Sequence, residues 1–296
     1  MPTLVVCVLA GVFGQLVDGA LGMAFGVTAS TVLLSNGVAP ASTSAIVHFA
    51  KIGTAITSGA SHWRFGNVSW PLVLRLGLPG AVGGFAGATF LSSVTADWLE
   101  PAVAVVLVGL GAVVVARSLR GHLDGGRPRT GSHRARALAP LGLGGGFLDA
   151  VGGGGWGPVA TPTLLAAGRV EPRVVIGSVN AAELLVTLAA SAGFILGLDG
   201  EEGAKLSLVL ALLAGGAVAS PVAAALVGRV QPARLGVAVG ALLVAVNVRT
   251  VLAEGGVAGT IRWPVVVLVL AAGAWLAYRA GRRPADTPEQ QAAVSA

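Results

Sequence analysis

With Cys7 as its only cysteine, the chain cannot form an internal disulfide, a cysteine metal site or a dithiol redox pair. Charge is scarce as well. Asp, Glu, Lys and Arg make up 11% of the residues, against about 25% in a soluble globular domain, which excludes a water-soluble core of ordinary kind. Four histidines, one of them in an apolar segment, leave no metal cluster to read. Aromatic residues contribute only 5%. The first residues, MPTLVVCVLAGVFG, lack a basic stretch, so they are expected to belong to the mature chain and not to a cleaved signal peptide.

What is present is apolar residues and glycine. Hydrophobic residues make up 54% of the 296 and glycines number 45, and the mean hydropathy is +0.83. This is the composition of an integral membrane protein whose helices cross closely, small residues letting backbones approach where lipid supplies no hydrophobic drive between them. The apolar runs are helical in length and lack the alternation of barrel strands. They fall at 4–34, 41–60, 71–92, 99–117, 137–167, 172–197, 206–227, 235–252 and 261–280. The net charge of +6 is nearly all arginine in the connections; it marks the cytoplasmic side and not a nucleic-acid surface.

The sequence occurs twice. QLVDGALGMAFG at 15–26 and GFLDAVGGGGWG at 146–157 align by a shift of 131, pairing Asp18 with Asp149, Gly22 with Gly153 and Gly26 with Gly157. One insertion later the match resumes with Pro40 opposite Pro172, and His48 and Lys51 fall opposite Asn180 and Glu183. Such doubling in a membrane chain points to a secondary transporter with its site between the halves.

The runs 4–34 and 137–167 are too long for one straight crossing and too short for two. Each is either one broken span or a re-entrant hairpin of two half-helices. Arginine placement favours hairpins. The 118–136 connection, with Arg120, Arg127, Arg129, Arg134 and Arg136, is cytoplasmic, and two hairpins put Arg64, Arg169, Arg173, Arg229, Arg234, Arg279, Arg282 and Arg283 on that same side. Asp97, Glu100, Asp199, Glu201, Glu202 and Glu254 then lie outside. Each repeat becomes one hairpin plus three spans, an odd number, so the second half enters from the opposite face. The expected organisation is an all-α polytopic membrane protein of two inverted repeats: 1–117 as repeat one, 118–136 as a basic cytoplasmic loop and 137–252 as repeat two. An extra transmembrane helix follows at 253–281, then a cytoplasmic tail at 282–296.

Polar side chains in these segments are the candidates for chemistry, since charge inside a bilayer is costly and normally faces a cavity or a partner. Ser44, His48, Lys51 and Ser58 share one face of a helix, and Asn180, Glu183, Thr187 and Ser191 share one in the partner repeat. Lys51 and Glu183 hold equivalent positions and are expected to approach each other across the pseudo-symmetry axis. In the functional reading His48 and Lys51 attract an anion and Glu183 carries a coupling proton. The alternative is a structural ion pair. Asp18 and Asp149, just before the glycine run of each hairpin, either cap the second half-helix or are protonated during transport. Gly22, Gly26, Gly153 and Gly157 expose backbone N–H groups near the same place. The run Gly152–Gly155 is not a phosphate loop, because no Gly-Lys-Ser/Thr follows it. Trp156 and Phe25 are expected to pack the hairpin tips, and HWRFG at 62–66 to anchor at the cytoplasmic surface, while His122 and His133 lie in the basic loop.

GQLVDGALGMAFG, SAIVHFAKIGTAITSGASHWRFGNV, LPGAVGGFAGA, GGGFLDAVGGGGWGPVATPTLL and IGSVNAAELLVTLAAS together resemble the sulfite exporter TauE/SafE family of membrane permeases over most of residues 5–250. The resemblance implies a transporter of small sulfur-containing anions such as sulfite or sulfonates, coupled to protons. By position, the family's Gly-rich hairpins correspond to Asp18–Gly26 and Asp149–Gly157, and its polar helix faces to Ser44–Ser58 and Asn180–Ser191.

The expectation is therefore an inner (plasma) membrane, multi-pass permease, not an enzyme, with a cytoplasmic C-terminus and no cofactor or metal. Its partners are a small anion, protons and the lipid bilayer, with no nucleic acid and with self-association into a homo-oligomer left open. Substrate contacts are assigned to Gly22, Gly26, Ser44, His48, Lys51, Gly153, Gly157 and Asn180, and proton coupling to Asp18, Asp149 and Glu183. The alternatives are a carboxylate carrier and a non-transporting membrane scaffold. An intramembrane protease using Ser44 and His48 lacks a nucleophile placed at a helix break.

Overall fold

The computed structural model describes residues 2–94, 99–119, 135–167, 170–198, 205–226 and 232–280. Their regular structure is helical: α1 Pro2–Leu21, α2 Phe25–Ser35, α3 Pro40–Arg64, α4 Trp70–Ser93, α5 Leu99–Leu119, α6 Ala135–Gly152, α7 Trp156–Ala167, α8 Pro172–Gly197, α9 Leu206–Leu226, α10 Pro232–Glu254 and α11 Gly259–Ala280. Six of these, α1, α4, α8, α9, α10 and α11, are long and apolar enough to cross a membrane. Proline opens α3 and α8, where its missing N–H costs nothing and its fixed φ suits the first turn.

Both long apolar runs are broken where the glycines predicted a break. Gly22 and Gly153 adopt φ of 69° and 68°, a left-handed conformation that a side chain resists. Ala24 takes φ 132° where the second repeat has Gly155. After the break α2 turns back along α1, bringing Phe25 and Thr28 against Gly14, and α7 brings Trp156 and Val159 against Gly145. The arms are unequal. At 1.5 Å per residue, the 20 residues of α1 reach about 30 Å, a full bilayer core, whereas the 11 of α2 reach about half that. In the first hairpin the returning arm is thus a half-helix and α1 is of full-span length, while in the second the apolar part of α6, Ala137–Gly152, falls short of a full span.

Helix packing follows the duplication. Exchanging α1–α5 with α6–α10 turns the α1–α9 contact into α6–α4, α3–α9 into α8–α4, and α2–α10 into α7–α5; the α3–α8 and α5–α10 contacts map onto themselves. Helices α3 and α8 pass in opposite directions, Ser58 meeting Asn180, Lys51 meeting Glu183 and His48 meeting Phe194. Outside this pattern, α11 packs on α10 and touches α5.

Helix α5 continues through Ser118 and Leu119, and α6 already begins at Ala135, both inside the stretch expected to be loop. Arg120, Arg127, Arg129, Arg134, His122, His133, Asp97, Arg169, Asp199, Glu201, Glu202, Arg229, Arg282, Arg283 and the tail 284–296 lie outside the described residues.

Candidate functional site

The two hairpin tips lie against each other at the centre of the helix assembly. The backbone at Gly153–Gly154 runs so close to Gly26 that a Cβ there would collide with it, and Gly157 stands in the same relation to Gly22 and Met23. Each tip also receives a hydroxyl from the other hairpin. Thr161 Oγ1 donates to the Gly22 carbonyl at 2.6 Å, and Ser30 Oγ donates to the Gly153 carbonyl at 3.1 Å. Thr161 and Ser30 are equivalent under the 131-residue shift, so the two bonds form a reciprocal pair.

At each break an aspartate faces the N-terminus of the returning helix. The N–H of Phe25 donates to Asp18 Oδ1 at 3.4 Å, and that of Trp156 to Asp149 Oδ1 at 3.0 Å. Both acids thus accept otherwise unpaired first-turn N–H groups and complement the positive end of the helix dipole. Phe25 and Trp156 are buried, and the Trp156 indole donates to the Val179 carbonyl at 3.0 Å, as expected of residues that pack the tips.

Between the tips, α3 and α8 bring the ionisable side chains into one buried cluster. Lys51 Nζ donates to Asp149 Oδ1 and Oδ2 at 2.9 and 2.8 Å, and lies 2.7 Å from Glu183 Oε1. One ammonium therefore bridges a carboxylate of a hairpin tip and a carboxylate of the opposite long helix. His48 Nε2 lies 3.1 Å from Asp149 Oδ2, and Nδ1 lies 2.8 Å from the Ser44 carbonyl. Acceptors on both ring nitrogens suit a doubly protonated imidazole. Ser44 Oγ donates to the Ala150 carbonyl, joining α3 to the second tip. His48 and Asp149 are fully buried and Lys51 is 1% exposed.

At the first tip the partners differ. Asn180 Nδ2 donates to the Ile176 carbonyl at 3.1 Å and lies 3.5 Å from the Asp18 carbonyl, while its Oδ1 accepts from Ser58 at 2.9 Å. Asp18 makes no ion pair among the described residues, yet its carboxyl lies within electrostatic reach of Glu183, Lys51 and Asp149. The same aspartate is therefore locked to a cation in one repeat and without an ion pair, among the described residues, in the other.

The expected meeting of Lys51 with Glu183 is present. Asp149 holding both Lys51 and His48 was not anticipated; its place just before the tip was the available signal. Lys51 and His48, read as open to an anion, have their donors taken up by Asp149, Glu183 and Ser44 in this conformation. In the HWRFG stretch Trp63 and Phe65 are exposed as expected of an anchor, but His62 is buried, and Asn67 Nδ2 lies 3.4 Å from its Nδ1. Among the described residues no group of three or more His, Cys, Asp and Glu is arranged to hold a metal ion.

The model of the family described as "Sulfite exporter TauE/SafE" matches residues 7–250. A protein of Bacillus subtilis (strain 168) described as "Probable membrane transporter protein YtnM" is 41% identical over 276 residues, covering 93% of this chain and 91% of its own length. No solved structure matches. The chain belongs to the sulfite exporter TauE/SafE family and is a multi-pass membrane transporter, not an enzyme.

Proposed function

We propose that this permease carries a small oxyanion, of sulfite or sulfonate type, together with a proton, by alternating access of two inverted repeats in the plasma membrane. The observation that carries the reading is Lys51 bridging Asp149 and Glu183 at the meeting point of the two halves. An ammonium buried there is stable only with anionic partners, so an anion can take the place of one partner only if that partner loses its charge.

The arithmetic of the cluster supplies the proton. With protons on both His48 ring nitrogens, as its two acceptors invite, Asp18, Asp149 and Glu183 are three carboxyls against two cations, His48 and Lys51. One carboxyl is in excess, and in a low-dielectric site that excess is relieved by one proton. With the proton on Asp18, Glu183 is ionised and holds Lys51. When a second proton, taken up with the anion, goes to Glu183 while Asp18 keeps the first, the ammonium is released toward the substrate, and the anion and that second proton travel as a neutral pair. The tip N–H groups at Gly22–Gly26 and Gly153–Gly157, with Ser44 and Asn180, complete the proposed substrate surroundings.

Inversion of the repeats is supported by α3 and α8, equivalent helices that pass in opposite directions. Arg64 ends α3 and Arg173 opens α8, so this antiparallel crossing puts both arginines on one side, where the positive-inside rule expects them. Arg279 at the end of α11 supports a cytoplasmic C-terminus by the same rule.

The test is flux into proteoliposomes of sulfite, taurine, sulfoacetate and succinate under an imposed pH gradient. Sulfite or sulfonate uptake accelerated by acid on the side of entry supports the reading; flux of none of them points to a non-transporting scaffold. One observation favours a second reading. The seat on Lys51 is filled by the carboxylate of Glu183, so a carboxylate substrate fits the same chemistry, and preference for succinate would decide for it.

A further inference from the structure

Two side chains beside the charge cluster have no use in the structure as it stands. Thr187 Oγ1 and Ser191 Oγ are buried and have no hydrogen-bond partner among the described residues, at 0% and 3% exposure. A hydroxyl on a helix ordinarily satisfies itself on the carbonyl one turn back. Ser61, Ser118 and Ser220 all do so, at 2.6, 2.6 and 2.9 Å. Thr187 and Ser191 have the carbonyls of Glu183 and Thr187 one turn behind them and use neither. A buried polar group left without a partner is unfavourable, and two successive ones on one helix face call for a ligand.

Their place on α8 says where that ligand sits. Glu183, Thr187, Ser191 and Phe194 lie within about 80° of one another around the helix at 100° per residue. The stripe is bounded at both ends by contacts to α3: Glu183 on Lys51 at 2.7 Å, and the ring of Phe194 on that of His48 at 5.7 Å between centroids. The two hydroxyls therefore stand on the face turned toward His48 and Lys51. In the first repeat the equivalent positions are Ala55 and Gly59, which have no polar side-chain atom, so the hydroxyl pair is not part of the duplicated scaffold.

We propose that Thr187 and Ser191 donate hydrogen bonds to the oxygens of the transported oxyanion once its charge has replaced that of Glu183 on Lys51, and that they determine preference among oxyanions. This rests on the anion-carrier reading above. Lysine supplies charge without geometry; two hydroxyls one turn apart supply the geometry, favouring an anion with at least two outward oxygens over a spherical one.

Thr187→Val and Ser191→Ala each remove a hydroxyl with little change of volume. In proteoliposomes with sulfite as the probe and bromide as competitor, each variant should raise KM for sulfite roughly tenfold, a typical penalty for one hydrogen bond to a charged group. Inhibition by bromide and kcat should stay near wild type, and Thr187→Ser should restore KM. Should a variant fail to transport, the purified protein decides: an unchanged Tm without sulfite and a lost sulfite-induced rise in Tm support the assignment. Wild-type KM in both variants while the wild type transports overturns this assignment alone, as does an equal fall in Tm for Thr187→Val and Thr187→Ser. A wild type that moves no anion removes the carrier reading and this assignment with it.

Discussion

Lys51 and Glu183 hold the same position in the two repeats and form a buried ion pair, Nζ to Oε1 2.7 Å. A pseudo-two-fold axis forces the residue lying on it to meet its own counterpart. Identical charges there would repel, whereas a lysine opposite a glutamate attracts.

Lys51→Met leaves Asp149 and Glu183 buried beside an uncharged side chain. Removing one partner of a buried pair typically costs 3–5 kcal/mol, so Tm should fall by several degrees and sulfite counterflow should be lost. Adding Glu183→Gln should recover part of the Tm, because one uncompensated charge is gone, but none of the transport. Wild-type counterflow in Lys51→Met would show that the lysine is structural only.

Glu183→Gln keeps the shape of the side chain and removes its charge and its proton. Lys51 retains Asp149, so folding should survive. Exchange of sulfite across the membrane should continue while its acceleration by a pH gradient disappears; a response to the gradient equal to wild type would remove Glu183 from the coupling path.

Gly26→Ala pushes a methyl group into the backbone of the opposite tip, where the Gly154 Cα stands 2.6 Å from the position the new Cβ would take. Overpacking of this kind typically costs 1–3 kcal/mol. Gly144→Ala is the control, since Gly144 lies inside α6 and its Cβ would meet nothing within 4 Å. Scanning calorimetry should find Gly26→Ala less stable than Gly144→Ala.

In a Cys7→Ala background, Val170→Cys should react with a membrane-impermeant thiol reagent added from the cytoplasmic side. Labelling from the outside only would place the α7–α8 junction on the other face and remove the two-hairpin topology.

Much of this arrangement was legible in the sequence because membrane insertion leaves coarse marks. Gly22 and Gly153 announced the breaks, since each is the one residue type that takes a left-handed turn freely, and the shift relating Lys51 to Glu183 foretold their contact. The unequal hairpin arms were not legible: hydropathy reports that residues are apolar and says nothing of where a helix begins to turn back. The grip of Asp149 on Lys51 and His48 was hidden for a related reason. Spacing along one helix fixes a face, whereas a partner 98 residues away in the chain is chosen by how two hairpins cross, and crossing is decided by glycine contacts that no periodicity records.

The exchanged hydroxyls at the tips bear on how such a chain comes to fold. Thr161 satisfies Gly22 and Ser30 satisfies Gly153, so neither half can complete its own tip. A chain cut at the connection between α5 and α6 would yield two fragments, each with an open carbonyl and a bare glycine backbone until it finds the other. The smallest unit able to assemble is then a pair, whether joined by a loop or not.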